Sequence, residues 1–329
     1  MTSRSLAVLP SLPEPQVVEI ELTNVCNAHC TICPRHSLGA NGFITQELYR
    51  HILDLYEEAR EGYLANRLAG GVTFPRVIFA AAGEPILHRQ CAQFVAEATA
   101  RKFQTEIYSN AARLTPELAR ALADAGLMQL NISFWGTTPE EYETSMRLDF
   151  HKTLARVREA VPILRSAGVG VKITWQQAPG VVSTDADVVR FWSEQLPGIE
   201  VDMESTPENR AGNLTCSAIE PGLSFYPPID FSKPIWCSFS YFTDVICWNG
   251  DVLMCVPDYF GRHTRLGNIG TDSLATLNER KAEAFRDLRF RQTCENCWRY
   301  RNESTEFWDT VLPESEIRKY RYDNQQPRR

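Results

Sequence analysis

Several things are missing from this chain, and each absence narrows what it does. No stretch approaches the ~20 consecutive apolar residues that cross a bilayer, so no membrane span is expected. There is no excess of positive charge. The 34 Lys and Arg stand against 41 Asp and Glu, a net charge of −7, which gives no electrostatic reason to expect nucleic acid or an anionic membrane as partner. The start, Ser5-Leu6-Ala7-Val8-Leu9-Pro10, is too short and too interrupted by proline for a signal peptide, so a cytoplasmic location is expected. No G-x-G-x-x-G follows the first predicted strand, which speaks against a dinucleotide-binding sheet. No low-complexity tract is present, nor any repeat beyond strand–helix alternation.

What is present is a globular composition, 43% hydrophobic over 329 residues, with ten cysteines. In a reducing compartment clustered cysteines read as metal ligands rather than disulfides. The hydrophobic pattern predicts strands at Val17–Leu22, Arg76–Ala81, Phe103–Tyr108, Met128–Phe134, Val169–Trp175 and Ile199–Glu204. Helices are predicted at Thr45–Arg60, Gln90–Arg101, Pro116–Ala125, Phe150–Ser166 and Asp185–Gln195, with Thr45 as an N-cap. Six strands alternating with helices call for parallel βαβ units. Polar residues recur at the C-terminal ends of successive strands, where barrel sites lie. The fold class is therefore α/β, a partial (β/α)6 TIM-like barrel.

The barrel is assigned to residues 1–204 and a Pro-, Ser-, Gly- and Asn-rich linker to 205–236. A small domain of β-hairpin plus helix is assigned to 237–310 and a polar tail to 311–329. Asn249-Gly250-Asp251, between Thr243–Cys247 and Val252–Cys255, is a strong hairpin signal. A last helix is expected over Ser273–Leu288.

Directly after the first strand comes Cys26-Asn27-Ala28-His29-Cys30-Thr31-Ile32-Cys33. A short loop with that spacing can turn three thiolates toward one point. Three thiolates hold three irons of a [4Fe-4S] cube and leave the fourth open, unlike the four-Cys ferredoxin spacings. A zinc knuckle would want a fourth ligand, for which His29 and His36 are near enough in sequence. A second set, Cys237, Cys255, Cys294 and Cys297, lies in the small domain, and four thiolates suit zinc or [4Fe-4S] alike.

The C-x-x-x-C-x-x-C loop after a first strand resembles that of the radical S-adenosylmethionine (radical SAM) enzymes. The second set is similar to their SPASM/twitch auxiliary-cluster extension, including Gly250-Asp251-Val252 to Cys255, Leu266-Gly267-Asn268-Ile269 and Cys294-Glu295-Asn296-Cys297. The resemblance implies that Cys26, Cys30 and Cys33 hold a SAM-binding [4Fe-4S] cluster. It implies that Cys237, Cys255, Cys294 and Cys297 hold an auxiliary [4Fe-4S] cluster. It also matches Gly83, Glu84 and Pro85 to the motif that contacts the SAM amino group, Ser109 and Asn110 to positions near the ribose, and Ser133 to a polar SAM contact. The copy here reads Ala81-Ala82-Gly83-Glu84-Pro85, with one usual glycine replaced by alanine, and Ile32 stands where the family usually has an aromatic residue.

The chemistry so implied is reductive cleavage of SAM to a 5′-deoxyadenosyl radical, fed by a one-electron reductant such as flavodoxin or ferredoxin. That radical takes a hydrogen atom from a carbon of the substrate. Similar twitch enzymes act on sugars, aminocyclitols and nucleoside sugars in antibiotic pathways, and only about sixteen residues precede the first strand here, so a small carbohydrate-like substrate is expected. The favoured outcome is oxidation of an alcohol to a ketone, with the auxiliary cluster as electron acceptor. Epimerisation would need a hydrogen donor, for which Cys247 and Cys216 are available, and Cys247 could instead replace Cys237 as a ligand. Decarboxylation of a sugar acid is a further possibility, and a non-catalytic iron-sulfur or zinc scaffold is the rival outside enzymes. Arg210 and Glu204 are candidates to hold substrate, Asp244 and Asp258 to accept the alcohol proton, and Cys91 reads as a buried small apolar residue.

Overall fold

In a computed structural model the described residues are 17–59, 76–204, 211, 240, 243–286 and 289–297. The predicted alternation is there. Strand β1 (Val17–Ile20) leads through the cysteine loop to helix α1 (Gln46–Glu58), whose first turn is capped by the Thr45 hydroxyl accepting from the Leu48 N–H at 3.1 Å. There follow β2 (Arg76–Phe79), α2 (Cys91–Ala100), β3 (Gln104–Ser109), α3 (Pro116–Asp124) and β4 (Gln129–Ser133). Helix α4 (Pro139–Met146) comes before α5 (Phe150–Ser166), β5 (Gly170–Gln176), α6 (Asp185–Gln195) and β6 (Glu200–Glu204).

Strands β1 to β6 are parallel neighbours in chain order. Their outward positions, such as Val18, Ile20, Val77, Phe79, Ile107, Leu130, Ile132 and Ile173, are buried under the helix layer. Aromatic rings fill the space between β4 and the helices after it. Phe134 stacks on Tyr142 at 4.1 Å and meets Trp192 edge-on at 5.1 Å.

The hairpin expected in a separate module instead continues this sheet. Strand β7 (Thr243–Ile246) pairs in parallel with β1, from Val17 opposite Thr243 to Ile20 opposite Ile246. Antiparallel β8 (Asp251–Leu253) and β9 (Arg265–Asn268) extend it to nine strands. The physical reason is burial: all four β7 residues are buried, so the strand needs partners on both edges. The turn uses Asn249-Gly250 as expected, with Gly250 at φ 87°.

Helices α7 (Leu274–Arg286) and α8 (Arg291–Asn296) follow. Helix α7 is tied beneath β7 by a buried ion pair. Lys281 Nζ donates to Asp244 Oδ1 at 3.0 Å and to the Thr243 carbonyl at 2.9 Å. The Tyr56 hydroxyl of α1 donates to Asp244 Oδ2 at 2.6 Å. Asp244, read as a possible proton acceptor, is thus a structural anchor between α1, β7 and α7.

Removing one partner of a buried ion pair leaves the other charge uncompensated. Lys281→Met is expected to cost about 3–5 kcal/mol in chemical denaturation, and the double variant Asp244→Asn with Lys281→Met distinctly less. Equal losses in the single and double variants would contradict the pairing.

Candidate active site

At the C-terminal ends of the strands lies a cavity of about 690 Å³, within the range that takes a drug-sized ligand. Cys26, Cys30 and Cys33 line it together with Gly83, Glu84, Ser109, Asn110 and Ser133. Eight of the nine positions assigned to the SAM end of the site therefore line one cavity. The ninth, Pro85, is buried and opens a short turn, Pro85–Leu87, whose Ile86 N–H donates to Glu84 Oε1 at 3.4 Å. Its part is to hold Glu84.

The cysteine loop is held in place from three sides. From α4, which the sequence pattern missed, the Ser145 and Met146 carbonyls accept the N–H groups of Thr31 at 2.8 Å and His29 at 3.3 Å. Across β3, Asn110 Nδ2 donates to Asn27 Oδ1 at 3.0 Å and reaches Cys26 Sγ at 3.7 Å. The Asn110 N–H itself donates to Glu84 Oε2 at 2.7 Å, which joins the ends of β2 and β3. Behind the loop, a Cβ on Gly83 would collide with the Thr23 backbone carbonyl, so only glycine lets β2's end approach β1's so closely.

Burial and the nearness of the other thiols push Cys30 far up, and burial with the Glu84 charge pushes Cys26 up to about 11. Free thiolates would be costly here, whereas a coordinated metal deprotonates its thiols outright. The residues fit an iron-sulfur cluster with SAM beside it. His29 is exposed and does not line the cavity. The His36 side chain lies outside the described residues.

Comparison with known proteins agrees with this geometry. The model of the Radical SAM superfamily matches residues 20–191, and that of SPASM, an iron-sulfur cluster-binding domain, matches residues 237–298. The chain belongs to the radical SAM superfamily. It is a radical SAM enzyme, and its two domains imply SAM, a [4Fe-4S] cluster and auxiliary iron-sulfur ligation. A PqqA peptide cyclase of Rhodopseudomonas palustris (strain ATCC BAA-98 / CGA009) is 29% identical over 139 residues, 42% of this chain and 33% of that protein. The match thus spans about a third of that relative.

Similar solved structures include BtrN in complex with AdoMet and 2-DOIA, with TM-score 0.54, 18% identity, 86% of this chain and 92% of that one covered. Streptococcus suis SuiB bound to precursor peptide SuiA has TM-score 0.58 at 14% identity, with 88% and 71% covered. Native anSMEcpe with bound AdoMet has TM-score 0.55 at 17% identity, with 87% of each chain covered. At these identities the likeness is one of fold.

Of the auxiliary set in this radical SAM enzyme, Cys237 lies outside the described residues. Cys255 and Cys297 are buried, Cys294 is half-buried, and the Cys297 N–H donates to the Cys294 carbonyl at 3.1 Å, placing those two on one turn at the end of α8. The residues just after Cys255, namely Val256, Pro257, Tyr259 and Phe260, line the cavity. Cys247 is wholly buried among Ala82, Val245, Leu253, Tyr259 and Phe260, and it is absent from the described cavity lining. Burial and the Glu21 charge push its thiol well up. Cys91 is buried in the core, as expected. Asp258, also read as a proton acceptor, is buried and accepts the Thr264 N–H at 2.7 Å and the His263 ring at 3.0 Å, away from the lining. Arg210 and Cys216 lie outside the described residues.

Sequence reasoning missed the floor of the cavity. Glu19, Arg76, Glu106, Gln129, Asn131, Lys172 and Asp202 line it from the inward faces of β1 to β6. The signal was readable. These residues occupy alternate strand positions, from one to four residues before each strand's end, where a filled barrel would carry branched apolar side chains.

Glu84 is fully buried, and that burial raises its pKa to about 7 against the opposing hydrogen bonds from Asn110, Ser109 and Ile86. A carboxyl raised on folding contributes stability that is present below its unfolded value and lost as pH rises through the folded one. In cluster-free protein the melting temperature of Glu84→Gln is therefore expected to rise relative to wild type between about pH 5 and pH 8. A difference that stays flat with pH would contradict a buried, raised carboxyl.

Proposed function

We propose that this radical SAM enzyme oxidises an alcohol carbon of a small carbohydrate-like molecule (a sugar, an aminocyclitol or a nucleoside sugar) to the ketone. The auxiliary cluster takes the electron, the first cluster is fed by flavodoxin or ferredoxin, and the setting is cytoplasmic natural-product biosynthesis. The observation that carries this reading is the cavity itself. Three thiols stand at its mouth, and six strands present polar side chains beneath them.

Cys26, Cys30 and Cys33 would hold the cluster, with Gly83, Ser109, Asn110 and Ser133 around SAM. Cys255, Cys294 and Cys297, with Cys237, would hold the auxiliary cluster. Reduced in that site, the SAM–cluster pair supplies hydrogen-atom abstraction, and the auxiliary cluster supplies one-electron oxidation. The substrate loses two hydrogens in all. One leaves the carbinol carbon as a hydrogen atom. The other leaves the hydroxyl as a proton, and a cluster held by Cys255, Cys294 and Cys297 with Cys237 would supply the one-electron acceptor that closing C=O requires. We assign Asp202, a lining carboxylate on β6, as the acceptor of that proton.

Two placements favour oxidation over epimerisation with Cys247 as the hydrogen donor. Cys247 is sealed in an apolar cluster rather than turned into the cavity. The loop after Cys255 reaches the cavity, which brings the auxiliary ligands' chain segment to the substrate.

Anaerobically reconstituted enzyme is expected to carry about eight irons per chain, as two four-iron clusters require. Turnover of an alcohol substrate should give a product lighter by two hydrogens. Deuterium incorporated at the reacting carbon in D2O, without that mass loss, would replace oxidation by epimerisation. A Cys294→Ala and Cys297→Ala variant should still cleave SAM but stop forming ketone.

A further inference from the structure

We propose that Asn131 is a substrate-binding residue on the cavity floor, donating to a hydroxyl oxygen, and that the substrate is an uncharged or ammonium-bearing polyol rather than an anionic one. The proposal rests on the reading of the cavity as a carbohydrate-like site and deepens it.

Asn131 sits in the middle of β4, between Tyr108 of β3 and Lys172 of β5 in the register. It lies two residues below Ser133, a drop of ~7 Å along a strand. That places it on the same inward face as Ser133, deeper in the cavity. Its side chain lines the cavity yet is only 2% exposed. Gln129 Nε2 donates to Asn131 Oδ1 at 2.7 Å, so the amide oxygen is occupied. Asn131 Nδ2 is buried with no hydrogen-bond partner. A buried donor left unmade is costly, and such groups in native proteins are normally satisfied. An acceptor brought by the ligand supplies the missing partner.

The cations of the lining decide what kind of acceptor. Among the described residues of the wall they are Arg76 and Lys172. Arg76 is paired with Glu106 at 2.5 Å, and Lys172 with Glu200 at 2.6 Å. Asp202 adds a carboxylate beside them. A phosphate or carboxylate substrate would be drawn by unpaired guanidinium or ammonium groups; this wall engages both of its cations with carboxylates. A neutral amide donor next to carboxylates suits hydroxyls, which accept from Asn131, and an ammonium, which donates to Asp202. That choice counts against both the sugar acid needed for decarboxylation and a nucleotide-linked sugar.

The test is equilibrium binding by calorimetry to unreduced, cluster-loaded enzyme saturated with SAM. The probes are a monoamino-cyclitol and, as anionic comparators, a hexose 6-phosphate and a hexuronic acid. Wild type should bind the aminocyclitol at least tenfold more tightly than either anion. Asn131→Leu should weaken it roughly tenfold or more. Asn131→Asp, which keeps an oxygen for Gln129 but loses the donor, should weaken it also. SAM affinity of each variant, measured alone, shows that the fold and the SAM site persist. Unchanged aminocyclitol affinity in Asn131→Asp overturns the assignment, and an anion bound more tightly, or no binding of the aminocyclitol by wild type, overturns the substrate class. These readouts need no turnover. A wild type that binds the aminocyclitol but yields no ketone would instead overturn the oxidation reading and leave the subsite standing.

Discussion

The site depends on one buried charge. Glu21, just beyond β1 and five positions before Cys26, has no exposed surface. Its carboxylate accepts the Trp248 N–H at 3.1 Å and the Arg262 guanidinium at 2.9 Å, together with the Ala82 N–H. Burial raises its pKa, while Arg262 and the two backbone donors pull the other way. An isolated carboxylate in that place would carry a desolvation cost of several kcal/mol. Its hydrogen bonds offset that cost only while four chain segments keep their positions. Those segments are the end of β1, the loop carrying Gly83, the β7–β8 turn and the loop after Cys255. The two cysteine sets are therefore braced through one residue that ligates nothing.

The same economy recurs around the cysteine loop. Its backbone donors end on carbonyls of α4, and α4 is in turn fixed by Glu141. That buried carboxylate accepts from Thr137, Val182 and Ser183, bonds which outweigh burial and hold it below the usual carboxylate range. A loop of eight residues has little core of its own. Its shape is borrowed from hydrogen bonds to elements that are themselves rigid, which is what a preorganised ligand set requires.

The parallel alternation was legible because strand and helix periods are local, and each of the six strands falls within two residues of its predicted bounds. The thiol triplet and Gly83-Glu84 were legible because spacing and position after a strand carry their meaning. Helix α4 carries an N-terminal cap signal in Thr138-Pro139 and Glu141, but at eight residues it is too short to show the apolar period by which the longer helices are read. The pairing of β7 with β1 was not legible at all. It links residues more than two hundred positions apart, and nothing local in Thr243–Ile246 names its partner. Asp244 and Asp258 looked catalytic for the same reason: their partners, Lys281, Tyr56 and Thr264, are visible only once the chain is folded.

That long-range pairing has a consequence in time. Strand β1 carries the cysteine loop, but its second edge is covered only by β7, which the ribosome delivers after most of the chain. Closing so large a loop is entropically slow, and an unpaired strand edge meanwhile invites other chains. During synthesis the β1–β6 sheet can assemble while Glu21 still lacks both Trp248 and Arg262. The cysteine loop is thus braced last, from the far end of the chain, and the nascent protein passes through a stage in which its thiols are present but not yet braced.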